Sequence, residues 1–241
     1  EPLENHPELA VACALKMQIA MKEINTLNEA DGLPQLEMGI AVNTGEVVVG
    51  NIGSEKRAKY GAVGSQVNFT GRAESFTVGG QLLVSRVTYE RLSDKLDIRN
   101  TLELEMKGVR GKVTLYDVRG ITGRFEAHLE DRDETMIRLR AGLEVEVFGI
   151  EKKIMQDTGK DAFITHLSLR SARMTLNDSL AQWEDVRMIP KRESDDSPDA
   201  EIYAKVTSVQ NSGQGWEAEV RFTSVSSAAY KMFRRLMDAA H

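Results

Sequence analysis

Gly39-Ile-Ala-Val-Asn-Thr-Gly-Glu-Val-Val-Val-Gly-Asn-Ile-Gly-Ser54, continued by Arg57-Ala-Lys-Tyr-Gly-Ala-Val-Gly-Ser-Gln-Val-Asn-Phe-Thr-Gly-Arg-Ala-Glu-Ser75, carries most of the information in this sequence. Leu36, Met38, Ile40 and Val42 recur at every second position, the period of a strand with one buried face. Asn43-Thr44-Gly45-Glu46 has turn chemistry, so Val47 to Ile52 is predicted to return as a second, more fully buried strand. Residues 53 to 64 hold Gly53, Ser54, Gly61 and Gly64 with Lys56, Arg57 and Lys59 between them, which predicts a polar, basic loop. A short helix from about Ser65 to Phe76 follows, ended by Gly79-Gly80. On that helix Asn68 and Arg72 are i and i+4 and project from one face. An amide one turn before a guanidinium can hold a ribose oxygen and meet developing phosphate charge together. Arginine suits the second task because its planar fork stays ionised and binds phosphate oxygens bidentately. A solvated helix face accounts for the spacing equally well.

The flanks extend a mixed pattern. Upstream, Pro7 and Glu8 open a helix that Gly32 and Pro34 punctuate at its far side. Leu9, Cys13, Met17, Ala20, Ile24 and Leu27 recur every three or four residues as its predicted core stripe. Cys13, among Ala12, Ala14 and Leu15, is expected to be a small buried packing residue. Downstream, Gln81 to Val84 has strand character, and Ser85 to Leu92 reads as a helix with Ser85 as its N-cap. Asp97 to Met106 and Val113 to Val118 form a predicted hairpin around Gly108 and Gly111. The fold class is α+β, a sheet with helices on one face.

Residues 121–137 change character. Glu126, Glu130, Asp131, Arg132, Asp133 and Glu134 predict a charged linker between a domain at 1–120 and another at 138–241. The second region is almost all strand: Leu143 to Phe148, Ala162 to Leu167, Ala172 to Leu176, Val186 to Ile189, Ile202 to Val209 and Trp216 to Phe222. Lys191 to Ala200 is a polar loop, and Asn211-Ser212-Gly213-Gln214-Gly215 a hairpin turn. Ser226 to Ala239 closes the chain as an amphipathic helix with Tyr230, Phe233, Leu236 and Met237 inward. Short strands and a terminal helix predict a small antiparallel β-barrel.

Composition narrows the function classes. A formal charge of −6 without a clustered basic patch argues against a nucleic-acid groove. Cys13 is the only cysteine, which excludes a disulfide framework within the chain. His6, His128, His166 and His241 show no ligand spacing. No apolar run approaches the roughly 18 to 20 residues of a membrane span. The opening Glu1-Pro2-Leu3-Glu4 has neither a signal peptide nor an initiator Met, which reads as a fragment with cytoplasm as its default location.

Residues 39–54 and 57–75, with the flanks from about 1 to 120, resemble the class III adenylate/guanylate cyclases. The resemblance implies the C-terminal half of a ferredoxin-like cyclase domain that works as a homodimer, with active sites formed between two catalytic domains. It implies attack of a ribose 3′-hydroxyl on the α-phosphorus of ATP or GTP, with pyrophosphate leaving. Asn68 matches the residue that orients the ribose and Arg72 the one that stabilises transition-state charge. Lys107, in Met106-Lys107-Gly108, matches a lysine that contacts the terminal phosphates, with Arg110 as a substitute candidate. On spacing alone Lys107 is a surface lysine of the hairpin. Gly61 stands where many members carry an Asp, Thr or Cys that reads the purine edge. Base choice is therefore open, with adenine favoured because adenylate cyclases are commoner. Ser65 replaces a frequent Asp after the glycine.

The resemblance also implies two Mg or Mn ions held by two aspartates, in the two-metal logic of in-line displacement. Those aspartates belong upstream of the helix that residues 7 to 31 fill, and Asp31-Gly32 reads as that helix's stop signal. No metal ligand is assigned, and the chain alone is expected to lack cyclase activity. Residues 138 to 238 resemble a PilZ-type barrel, through strand order, Ile164-Thr-His-Leu-Ser-Leu-Arg-Ser-Ala-Arg-Met174 and Glu217 to Phe222. Only Ser168 matches the Asp/Asn-x-Ser-x-x-Gly motif of that family; His166 and Ser171 replace its ends. Arg132, Arg138 and Arg140 lack the Arg-x-x-x-Arg spacing, so binding of cyclic di-GMP is not expected. The alternative to a signalling cyclase is a non-catalytic regulatory protein with a degenerate cyclase half and a sensing barrel.

Overall fold

The elements run α1 (His6–Ala30), β1 (Ile40–Val42), β2 (Val48–Ser54), β3 (Arg57–Val63), α2 (Ser65–Glu74), β4 (Leu82–Ser85), α3 (Arg86–Leu92), β5 (Leu96–Glu105), β6 (Lys112–Ile121) and β7 (Ala127–His128). They continue as β8 (Ile137–Glu151), β9 (Ile154–Met155), β10 (Lys160–Leu167), β11 (Ser171–Leu176), β12 (Asp185–Pro190), β13 (Ile202–Asn211), β14 (Trp216–Val225) and α4 (Ser227–Asp238). This computed structural model describes residues 3–33, 35–54, 57–130, 135–151, 154–191 and 200–240. Two units result, Glu1–Met21 with Met38–Glu130 and Lys22–Glu37 with Asp131–His241.

The sheet of the first unit has the order β1-β4-β6-β5, with β7 on the edge of β6. β1 is parallel to β4, and β4, β5 and β6 are antiparallel. Val11, Ala12, Ala14 and Leu15 of α1 pack with Leu82, Val84, Val118 and Ile121. Polar side chains fasten the helix to the sheet. Gln18 Nε2 donates to the carbonyls of Met38 (2.6 Å) and Gln81 (3.1 Å). Glu8 accepts from Lys95 Nζ at 2.8 Å, and that hydrogen bond raises the Lys95 pKa. Ser85 caps α3 as predicted, its hydroxyl accepting from the Thr88 amide.

Several expectations are corrected here. The stripe Leu9, Cys13, Met17, Ala20, Ile24 and Leu27 is not the core face: Met17, Ile24 and Leu27 are 47%, 41% and 59% exposed, and Cys13 is exposed. α1 carries apolar residues on more than one side. The face with Val11, Ala12 and Ala14 wins because small side chains let the helix lie close to the sheet. The strand expected from Leu36 shrinks to Ile40–Val42 and pairs with β4, so the turn at 43–46 closes no hairpin. The hairpin is instead β2 with β3, in register from Val48↔Val63 to Ser54↔Arg57, so the expected basic loop is largely a return strand. β2 is also exposed rather than buried, Val48 by 71% and Val49 by 51%. A two-stranded ribbon off the main sheet has no layer of described residues over it.

The start of the expected linker belongs to the first unit, since β7 pairs with β6 and Phe125 and Leu129 pack on the core. Residues 131–134 and 192–199, parts of the expected linker and polar loop, lie outside the described residues.

All six strands expected in the second region form. They close as β8-β10-β11-β14-β13-β12 and back to β8, with β9 a short addition on β8. Inward residues Val145, Val147, Ile164, Met174, Met188, Ile202, Val206 and Val220 are at most 1% exposed. Ser226 caps α4, accepting from the Ala229 amide, and Phe233 stacks on Phe222 with ring centres 5.2 Å apart. Phe233 is fully buried as expected, while Tyr230, Leu236 and Met237 are half-buried.

Candidate active site

Helix α2 is placed by small residues around it. It begins at Gly64 without a side-chain cap. Asn43 Nδ2 donates to Gln66 Oε1 (3.0 Å) and to the Gln66 carbonyl (3.4 Å), tying the first turn to the end of β1. Gly45 makes room for that contact, because a Cβ there would fall 2.5 Å from Gln66 Cγ. At the other end Ala73 is buried, and the buried Thr77 hydroxyl donates to the Glu74 carbonyl. With both ends held, Asn68 and Arg72 stand exposed one turn apart.

From there Arg72 reaches the turn between β5 and β6. A Cβ at Gly108 would lie 3.2 Å from Arg72 Nη1 and 3.4 Å from Nη2, so the guanidinium rests on the residue that follows Lys107. The turn is closed by the Val109 amide donating to the Met106 carbonyl at 3.0 Å, with Met106 buried. Lys107 and Arg110 are exposed beside it. The fold thus joins two parts of the predicted site that 35 positions of sequence separate, Arg72 and the Lys107 turn. Asn68, Arg72, Lys107 and Arg110 make no side-chain hydrogen bond or ion pair with any described residue.

Gly61 lies in the β2–β3 ribbon opposite Gly50. A Cβ there would meet only Ile52 Cδ1, at 3.7 Å, so packing does not require glycine at this position. Sequence reading missed Asn43, Gln66 and Gly108. The Asn43-to-Gly45 turn chemistry was the one available signal, and it pointed to a hairpin.

The described residues do not make a metal site. Among the described residues no group of three or more His, Cys, Asp or Glu is placed to hold an ion. Asp31 and Gly32 end α1, with the Asp31 amide donating to the Leu27 carbonyl and Gly32 at φ +70.

A guanidinium set against the turn that carries an ammonium, with a carboxamide one helical turn before it, is an arrangement whose chemistry suits phosphate oxygens. Residues 3–120 match the family of the adenylate and guanylate cyclase catalytic domain, just under half of the chain. The chain is 30% identical over 118 residues to adenylate cyclase 1 of Rhizobium meliloti (strain 1021), covering 48% of this chain and 18% of that protein. It is 32% identical over 116 residues to the guanylate cyclase soluble subunit beta-2 of Rattus norvegicus, covering 48% and 16%. The chain thus spans less than a fifth of these relatives' length. The crystal structure of the guanylyl cyclase Cya2 is similar with a TM-score of 0.51 and 46% identity, over 53% of this chain and 65% of that one. Among the described residues no helix is long and apolar enough to cross a membrane.

Proposed function

We propose that this protein is a nucleotidyl cyclase in which Asn68 orients the ribose of ATP or GTP and Arg72 stabilises charge as the 3′-hydroxyl attacks the α-phosphorus. Lys107 meets the terminal phosphates, with Arg110 in reserve on the same turn. The observation that carries this reading is the meeting of Arg72 with the Lys107–Gly108 turn. Gly61 offers no side chain to choose the purine, and the relatives include cyclases of both kinds. The divalent ions that the family uses need carboxylates beyond the described residues, so the activity is proposed for the full-length protein. Residues 1–241 alone are expected to give no product.

The protein acts as a homodimer. Val48, Val49, Ile52, Tyr60 and Val63 of the ribbon are 71%, 51%, 43%, 77% and 45% exposed, an apolar surface that a second copy would cover. The barrel is a PilZ-like regulatory or dimer-stabilising module that does not take cyclic di-GMP. Ser168 supports that view: its hydroxyl is 2.8 Å from that of Ser171 and accepts from the Arg170 and Ser171 amides, within its own turn.

The test is chromatography of products from full-length protein with Mn-ATP and with Mn-GTP. Cyclic AMP or cyclic GMP with stoichiometric pyrophosphate is expected. No cyclic product from either would favour the non-catalytic regulatory reading. Calorimetry with cyclic di-GMP is expected to show no binding, and a micromolar or tighter constant overturns the view of the barrel.

A further inference from the structure

The β5–β6 turn holds two glycines with nearly the same left-handed backbone, Gly108 at φ +76 and Gly111 at φ +79. Backbone preference alone explains glycine at both. They differ in what a side chain would meet. Nothing lies within 4 Å of a Cβ at Gly111. At Gly108 the three nearest atoms all belong to one guanidinium: Arg72 Nη1 at 3.2 Å, Nη2 at 3.4 Å and Cζ at 3.6 Å.

We propose that Gly108 is a positioning residue for Arg72: its bare backbone is the floor against which the guanidinium is set. This rests on the cyclase reading of Arg72. An arginine exposed on a helix has many rotamers, and α2 fixes only its Cα end. The far end makes no hydrogen bond or ion pair with a described residue, and it packs on Gly108, a contact that restricts it. Stabilising a transition state depends on a donor already standing where charge develops. A methyl group at 108 would push the fork away by a few tenths of an ångström, because a long side chain yields before a closed turn does. A methyl at 111 imposes the same backbone strain and touches nothing, which makes it the internal control.

The experiment pairs Gly108→Ala with Gly111→Ala. In full-length protein, Gly108→Ala is expected to lower kcat by about five- to tenfold with KM changed less than about twofold, since misplacement by even 1 Å can cost about a hundredfold. Gly111→Ala should stay within about twofold of wild type in kcat, as a strain-only control whose side chain meets no part of the site. In an Arg72→Ala background, Gly108→Ala should cost nothing further. Nitrogen-15 relaxation of Arg72 Nε, measured on residues 1–241, should show an ordered side chain in wild type and Gly111→Ala and a disordered one in Gly108→Ala. Equal behaviour of the two variants, a mobile Arg72 in wild type, or a loss that persists without Arg72 would each overturn the proposal. Should wild type make no cyclic nucleotide, the cyclase reading fails, and the relaxation measurement alone decides the role of Gly108.

Discussion

The barrel and the β2–β3 ribbon are both antiparallel and both rich in valine, yet they treat that valine in opposite ways. In the barrel, β8 and β10 pair with each other and close the ring, so Val145, Val147 and Val206 point into an interior the strands themselves make. In the ribbon, two strands pair only with each other, and Val48, Val49 and Val63 face solvent. A closed sheet satisfies its own hydrophobic pattern. An open ribbon leaves apolar surface exposed, and that surface lies in the unit that carries Asn68 and Arg72.

The sharpest way to break this contrast is to empty the barrel. Phe233→Ala should destabilise the second unit by about 3–5 kcal/mol, the usual cost of deleting a buried phenyl ring. Trp183 and Trp216 are the only tryptophans and both lie in that unit, so urea unfolding followed by their fluorescence reads it alone. A loss below about 1 kcal/mol would mean the barrel is not closed around Phe233. The matching change in the ribbon, Val48→Lys, should alter folding stability by less than about 0.5 kcal/mol, because Val48 is already solvated. In full-length protein it should weaken dimerisation by about tenfold or more in sedimentation, through like charges brought together. A destabilised monomer with unchanged dimerisation would put Val48 in a core instead.

Within the first unit, Asn43→Ala removes the tie to Gln66 that sets the first turn of α2. It should lower kcat by about three- to tenfold at nearly constant stability, the scale of a small misplacement. Unchanged kinetics would show that Ala73 burial alone positions the helix. The smallest effect concerns Lys95, whose pKa is raised by its hydrogen bond to Glu8. A raised lysine pKa stabilises the fold fully below the ordinary value of 10.5 and loses that contribution as pH rises through the raised one. Melting followed by far-ultraviolet circular dichroism should therefore decline more steeply above that pH in wild type than in Lys95→Gln. Identical profiles would remove the pair from the stability of α1.

The same contrast explains what could be read from the sequence. Barrel strands alternate between an interior and water, so period two gave all six, and Ser226 and Ser85 announced their helices through hydrogen bonds to the next turn. α2 has no such cap and was legible instead from the glycines that bound it, Gly64 before and Gly79-Gly80 after. The run Val47 to Ile52 was misread because apolarity reports that burial is wanted, not by which element. The face of α1 was misread because Val11 and Ala14 compete with Met17 and Ile24, and only the sheet decides between them. Gly108 was beyond reach, since its role depends on a guanidinium 36 positions away in sequence.

The proposed mechanism has Arg72 act on the charge of a nucleoside triphosphate as it cyclises. Steady-state kinetics of full-length wild type and Arg72→Ala, with Mn-ATP and with Mn-GTP, test it most directly. Cyclic nucleotide is expected from wild type, with a loss of about 10² to 10³ in kcat in the variant, the usual scale for removing one charge-stabilising donor. Turnover by Arg72→Ala at the wild-type rate would contradict it.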